Sequence, residues 1–278
     1  MSLPYTRILP ARLWVIPSLT LLLVACSTNQ PVKEERDGID HSFPPPANID
    51  SIPDAVPAIE PLSRYGNPES YQVFGREYRT LPERSHYRET GIASWYGSKF
   101  HGKRTSSGEP YDMYAMTAAH KSLPLPTYAR VTNLQNGRSV VVKINDRGPF
   151  HDNRLIDLSY TAAWKLGIAA NGTGLVEVEA IDPSIPEPKP VPPPVQATAG
   201  LPEIFLQVGA FGSQQNANRL KDRLQSALNT AVLVQEPHAT DQPLFRVQIG
   251  PIASIELCDQ LTDKLVSLGI PETRLVFR

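Results

Sequence analysis

The stretch "YARVTNLQNGRSVVVKINDRGPF", Tyr128–Phe150, decides the fold class. Two β-branched runs, "YARVTNL" and "SVVVKIND", flank "QNGR", and Asn136-Gly137 is a strong hairpin signal because both residues tolerate positive φ. The second run ends on Asp146, and Arg147, Gly148 and Pro149 then stop the strand. Period two groups Asp146 with Val140, Val142 and Ile144, so the reading points it toward the core side at the strand's end. Such a carboxyl, at the rim of an apolar barrel, would be partly desolvated and able to hold a proton for a leaving group. Asp before Arg-Gly-Pro is also sound turn chemistry, and the residues alone leave both readings open.

Around this hairpin, "GLVEVEAI" alternates as another strand, and "SYTAAWKLG" reads as one short helix from a Ser159 cap to a Gly167 stop. Short strands and one helix within under about a hundred residues suggest a small, mainly β barrel over residues 87–182. Residues 201–278 have another rhythm. Strands in "IFLQVGAF", "AVLVQE", "LFRVQIG" and "TRLVF" alternate with helices in "SQQNANRLKDRLQSAL" and "SIELCDQLTDKLVSLG". That order, βαββαβ, is a small α+β domain with both helices on one face of an antiparallel sheet. Leu206, Val208, Phe245, Val247 and Ile249 face the helices in this reading; Phe205, Gln207, Arg246 and Gln248 face away.

The 278 residues include 28 prolines, placed unevenly. "DPSIPEPKPVPPPVQATAG" reads as a semi-rigid spacer, with the linker at 183–200. Residues 26–86 lack a sustained period and read as a mostly disordered tether, with one ordered patch near Tyr71–Tyr78. At the N-terminus, Arg7 and Arg12 flank the apolar run Leu13–Val24, which suits an export signal over residues 1–25. "LVAC" matches a bacterial lipobox, so Cys26 is the expected lipidation site and the membrane a partner through that anchor. Ser27 in place of aspartate favours the periplasmic face of the outer membrane. Only Cys258 then remains, on an apolar helical stripe that suits a core thiol.

A net charge of −1 suggests no nucleic-acid partner. The six histidines form no metal-ligand set, and no cofactor fingerprint is present, so neither a metal nor a cofactor is expected. Chemistry would fall to Asp146, to Glu109 in a Ser/Gly/Pro-rich loop and to His120 at the end of "AMTAAH". Spacing alone does not bring these three together.

The run "GIASWYGSKFHGKRTSSGEPYDMYAMTAAHKSLPLPTYARVTNLQNGRSVVVKINDRGPFHDNRLIDLS" resembles the rare lipoprotein A family, and "IFLQVGAF" and "LFRVQIGPI" resemble the signature strands of SPOR domains. The resemblance implies a double-psi β-barrel followed by a SPOR peptidoglycan-binding domain. It implies a lytic transglycosylase that cuts between N-acetylmuramic acid and N-acetylglucosamine on strands lacking stem peptides. Asp146 in "NDRGPF", Glu109 in "SSGEPYDM" and His120 in "TAAHKSLPLP" match the family's functional positions. Asp146 would be the acid and base, with Glu109 and His120 tuning it or holding sugar; Tyr96, Arg147 and Asp157 are bystanders, Asp157 with a structural role. Gln207, Arg246 and Gln248 would bind sugar hydroxyls and acetamido groups, with Phe205 or Phe211 stacking on a sugar face. The family also implies a place at the division septum among other cell-wall proteins. Two rivals stand beside this: an expansin-like wall binder without activity, and a hydrolase with two carboxyls about 6.5–9.5 Å apart.

Overall fold

The computed structural model describes residues 46–185, 201–237 and 244–278. The export signal, Cys26 and residues 186–200 of the spacer lie outside the described residues.

The tether expected up to His86 is corrected from Pro46 onward, because this segment packs along the barrel. A hairpin of β1 (Ser70–Val73) and β2 (Arg76–Arg79) turns tightly through Phe74 and Gly75, both at positive φ. Ahead of it, Ile49 is buried. Asp54 Oδ2 accepts the Val141 N–H, and the Ala55 N–H donates to the Val141 carbonyl. The segment binds by scattered backbone and side-chain contacts such as these, which leave no period in the sequence.

The barrel comprises β3 (Arg88–Trp95), β4 (Thr117–His120), β5 (Thr127–Asn133), β6 (Ser139–Asp146), β7 (Ile156–Leu158) and β8 (Thr173–Ile181), closed in the order β3-β7-β4-β6-β5-β8. The pairs β3–β7 and β4–β6 are parallel and the others antiparallel. Val131, Val140, Val142, Ile144, Ile156, Leu158, Val176 and Val178 fill the interior. β4 is too short to cover the whole edge of β6, and Asp54 and Ala55 occupy the remainder, satisfying groups that burial would otherwise orphan. The α1 helix (Tyr160–Leu166) starts where Ser159 Oγ accepts the Ala162 N–H and stops at Gly167, whose φ of 75° suits glycine.

The second domain follows the expected order: β9 (Ile204–Phe211), α2 (Gln214–Ala227), β10 (Val232–Gln235), β11 (Phe245–Ile252), α3 (Ile255–Ser267) and β12 (Arg274–Phe277). Its antiparallel sheet runs β10-β11-β9-β12. Leu206, Val208, Val247 and Ile249 pack with Leu224, Leu261 and Leu265 of the helices. Cys258 lies within this core, and burial pushes its thiol up to about 12, out of the reactive range.

Candidate active site

Asp146 is placed by a β-bulge. Thr117 pairs with Lys143 and Ala118 with Ile144, but Ala119 pairs with Asp146, so Asn145 is the extra residue. Such a shift moves the next side chain to the other face of the sheet. Ala118, Ile144 and Leu158 point into the core, whereas Asp146, Ala119 and Asp157 form the next row across β6, β4 and β7. This corrects the parity reading that sent Asp146 with Val140, Val142 and Ile144 toward the interior. It also sets Asp157 beside Asp146 with only Ala119 between them, two strand spacings or about 9–10 Å at the backbone. Tyr96 reports the same neighbourhood: burial first, then Tyr111, Asp146 and Asp157, hold its hydroxyl far above the ordinary phenol range.

The carboxylate of Asp146 sits in a polar cradle where an apolar rim was expected. Its Oδ1 accepts the Ser106 N–H at 2.7 Å, the Ser106 hydroxyl at 2.7 Å and the Arg147 N–H at 2.8 Å. Oδ2 has no partner among the described residues. Arg147 locks the turn behind it, donating to the carbonyls of Gly66, His120 and Leu123 and to Asn67 Oδ1. Gly148 continues the turn at φ 136°, a conformation that a side chain resists.

Glu109 reaches this cradle indirectly. The bridge between Arg104 and Pro110 closes a turn whose Ser106 caps Asp146 and whose Ser107 N–H donates to the Asn145 carbonyl. Glu109 Oε2 accepts from Asn145 Nδ2 at 2.7 Å, and Oε1 meets Lys143 Nζ at 3.0 Å. The side chain therefore holds the bulge residue from outside the barrel.

His120 does not join the other two. It pairs with core-facing Ile156, one residue beyond Ala119, and so faces away from Asp146. Its Nδ1 accepts the N–H groups of Ser122 and Leu123, which leaves the proton on Nε2, 2.9 Å from the Tyr87 hydroxyl. Tyr87 in turn donates to Glu89 at 2.8 Å. Burial, with the Arg147 and Lys121 charges behind it, lowers the imidazole to about 3. His120 is a neutral packing and hydrogen-bonding residue in this arrangement.

In the second domain, Gln207, Arg246 and Gln248 line a cleft on the sheet face away from the helices. Phe205 lies on that face too, but it is only 3% exposed, with the Arg278 guanidinium 4.6 Å from its ring centre. Gln248 is 1% exposed and donates to Gln235 Oε1. The expected solvent-facing positions of these two are corrected to covered ones, since the C-terminal Arg278 folds over them and also bonds Gln248. Phe211 is corrected to the helix side, where it packs with Leu220. The sequence reading missed Arg274, which shares a cross-strand row with Gln207; its alternation with Leu275 in "TRLVF" was the available signal. Among the described residues, no three His, Cys, Asp or Glu side chains form a metal-binding group.

Residues 88–179 match the family model described as lytic transglycolase, and residues 203–272 match that of the SPOR domain. A Pseudomonas aeruginosa protein named endolytic peptidoglycan transglycosylase RlpA is 39% identical over 316 residues, covering 90% of this chain and 92% of its own. A Vibrio cholerae protein of the same name is 38% identical, covering 93% and 94%. Among solved structures, the SPOR domain of RlpA from P. aeruginosa is 30% identical, covering 26% of this chain and 96% of its own, with a TM-score of 0.25.

Proposed function

Because the chain belongs to the rare lipoprotein A (RlpA) family, with its double-psi β-barrel and SPOR domain, we propose that it is an endolytic peptidoglycan transglycosylase in which Asp146 is both acid and base. Asp146 protonates the glycosidic oxygen between N-acetylmuramic acid and N-acetylglucosamine, and the bond from that oxygen to the anomeric carbon breaks. The resulting carboxylate takes the proton of the muramic C6 hydroxyl as its oxygen bonds the same anomeric carbon. The products are a 1,6-anhydromuramic end and a free N-acetylglucosamine 4-hydroxyl. No water is consumed, so one acid/base group suffices.

The observation that carries this reading is the asymmetry of Asp146: three donors fix Oδ1, while Oδ2 has no partner among the described residues and is left to exchange the proton. Glu109, through Asn145 and the 104–110 turn, positions the bulge that presents it. His120 supports the strand from behind. The substrate is glycan stripped of stem peptides, bound by Gln207 and Arg246 of the SPOR sheet, with Gln248 covered beneath them. Lipidation at Cys26 would hold the protein to the outer membrane, facing the wall, with septal wall processing alongside other division proteins as its setting.

The test incubates the protein with amidase-treated sacculi and reads the ends by mass spectrometry. Anhydro ends are expected, and their loss in Asp146→Asn with glycan binding kept. Binding without any cleavage would leave an expansin-like wall binder in its place. The Asp146–Ala119–Asp157 row supports one second reading, inverting hydrolysis with Asp157 as base, since carboxyls about 6.5–9.5 Å apart leave room for a water. That reaction gives reducing ends, and the same spectra separate the two.

A further inference from the structure

The barrel and the SPOR sheet face each other across an open cleft of about 880 Å³, and Asp146 does not line it. The two domains are pinned beside it. Arg154, its side chain 8% exposed, donates to both carboxylate oxygens of Asp259 at 2.9 and 2.6 Å, and Asn153 Nδ2 donates to Thr262 Oγ1 at 2.6 Å. A two-pronged pair of this kind fixes orientation as well as distance.

The sheet wall presents a row. Gln248 on β11, Gln207 on β9 and Arg274 on β12 are directly paired, so their side chains share one face at strand spacing. The Arg274 side chain makes no hydrogen bond or ion pair among the described residues. The barrel wall presents Lys121, whose Nζ donates to the Arg154 carbonyl and forms no direct ion pair among the described residues, with the Asp152 and Glu89 charges farther off. Other cations of the cleft are already matched: Arg76 by Asp152, and Arg88 by Glu177 and Glu179. Each wall thus keeps one cation outside any direct ion pair, and the sheet adds the Gln207 amide, which can both donate and accept.

That chemistry suits a sugar polymer with carboxylates along its length. Peptidoglycan glycan has a lactyl group on each muramic acid; it is a neutral amide when a stem peptide is attached and a free carboxylate when the peptide is gone. We propose that the interdomain cleft is a composite glycan site, in which Lys121 of the barrel and Arg274 of the sheet bind lactyl carboxylates while Gln207 binds the sugars. It rests on the reading of the substrate as peptidoglycan glycan and makes the barrel part of the address. Selection for stripped strands is then made by both domains, away from the reacting acid.

The test measures binding by the full mature chain in detergent, in an Asp146→Asn background so that strands stay intact. Three probes are compared: glycan oligomers from amidase-treated sacculi, the same oligomers with their carboxylates amidated, and chitin oligomers of equal length. The free acid should bind most tightly, and Lys121→Gln and Arg274→Gln should each cut that preference by about fivefold. Chitin affinity should be unchanged, and Lys121→Arg should restore the preference. Equal binding of free and amidated oligomers overturns the proposal, as does Lys121→Gln that leaves the preference intact or weakens all three probes alike. The reaction is scored separately, by anhydro ends from the chain with Asp146 in place. Their absence with the expected binding pattern would remove the transglycosylase and keep the cleft; their presence with no Lys121 effect would do the reverse.

Discussion

His120 shows how far a residue's surroundings decide its chemistry. An exposed imidazole titrates near pH 6.5, but burial lowers this one to about 3, so it is uncharged wherever the protein works. The unfolded chain takes up its proton at the higher pH, so protons favour unfolding. The stability His120 leaves in place above about pH 6.5 is therefore lost progressively as the pH falls toward 3. Urea unfolding at pH 7 and pH 4.5 should show that decline, and His120→Gln should flatten it. His120→Ala should cost roughly 1–3 kcal/mol at pH 7, because it strands the buried N–H groups of Ser122 and Leu123. Cleavage between pH 5 and 8 should carry no step from His120, and an imidazole that titrates near 6.5 by NMR would contradict its assignment.

At the scale of elements, the β6 bulge and the parallel β3–β7 pair place the candidate acid. Glu109 acts through this geometry: Glu109→Ala frees Asn145 Nδ2, leaves Lys143 to Glu60 alone and should lower the cleavage rate while glycan affinity stays. A rate drop with an equal drop in binding would place Glu109 on the sugar instead. β7 is guided into place by Leu155, whose N–H donates to the Ile92 carbonyl and whose side chain lies over Gly91. A Cβ at Gly91 would stand 2.5 Å from Leu155 Cβ, far inside contact distance. Gly91→Ala should therefore destabilise the barrel by about 1–3 kcal/mol, read as a lower urea midpoint with an unchanged slope.

Across the whole molecule, two attachments join parts that the sequence separates. The segment from Pro46 to Thr80 supplies the backbone partners of Val141 and Leu125, the Glu60 carboxylate on Lys143 and two of the acceptors of Arg147. A chain starting at residue 80 should lose several degrees of melting temperature and part of its activity, since those groups would be left bare. Asp259→Ala should separate the unfolding of the two domains in calorimetry. It leaves the Arg154 charge with little exposure and no partner, at a cost of about 1–3 kcal/mol, reduced from a fully buried pair because Asp259 is 31% exposed.

The sequence by itself determined the local elements: the Gly137 hairpin, the Ser159-to-Gly167 helix, the βαββαβ order and the alternation that fills both cores. Each is set by short-range periodicity, capping or turn stereochemistry, which neighbouring residues carry among themselves. Only the tertiary structure decided which way Asp146 points, since one extra residue in a ladder is defined by the partner strand. The same holds for the separation of His120 from Asp146, the packing of residues 46–80 and the cover of Arg278 over Phe205. The β7 strand is three residues long and reads as a strand only beside β3 and β4. Contacts between distant stretches leave no period in the chain, so folding in three dimensions is what first puts Asp157 next to Asp146 and Lys121 across from Arg274.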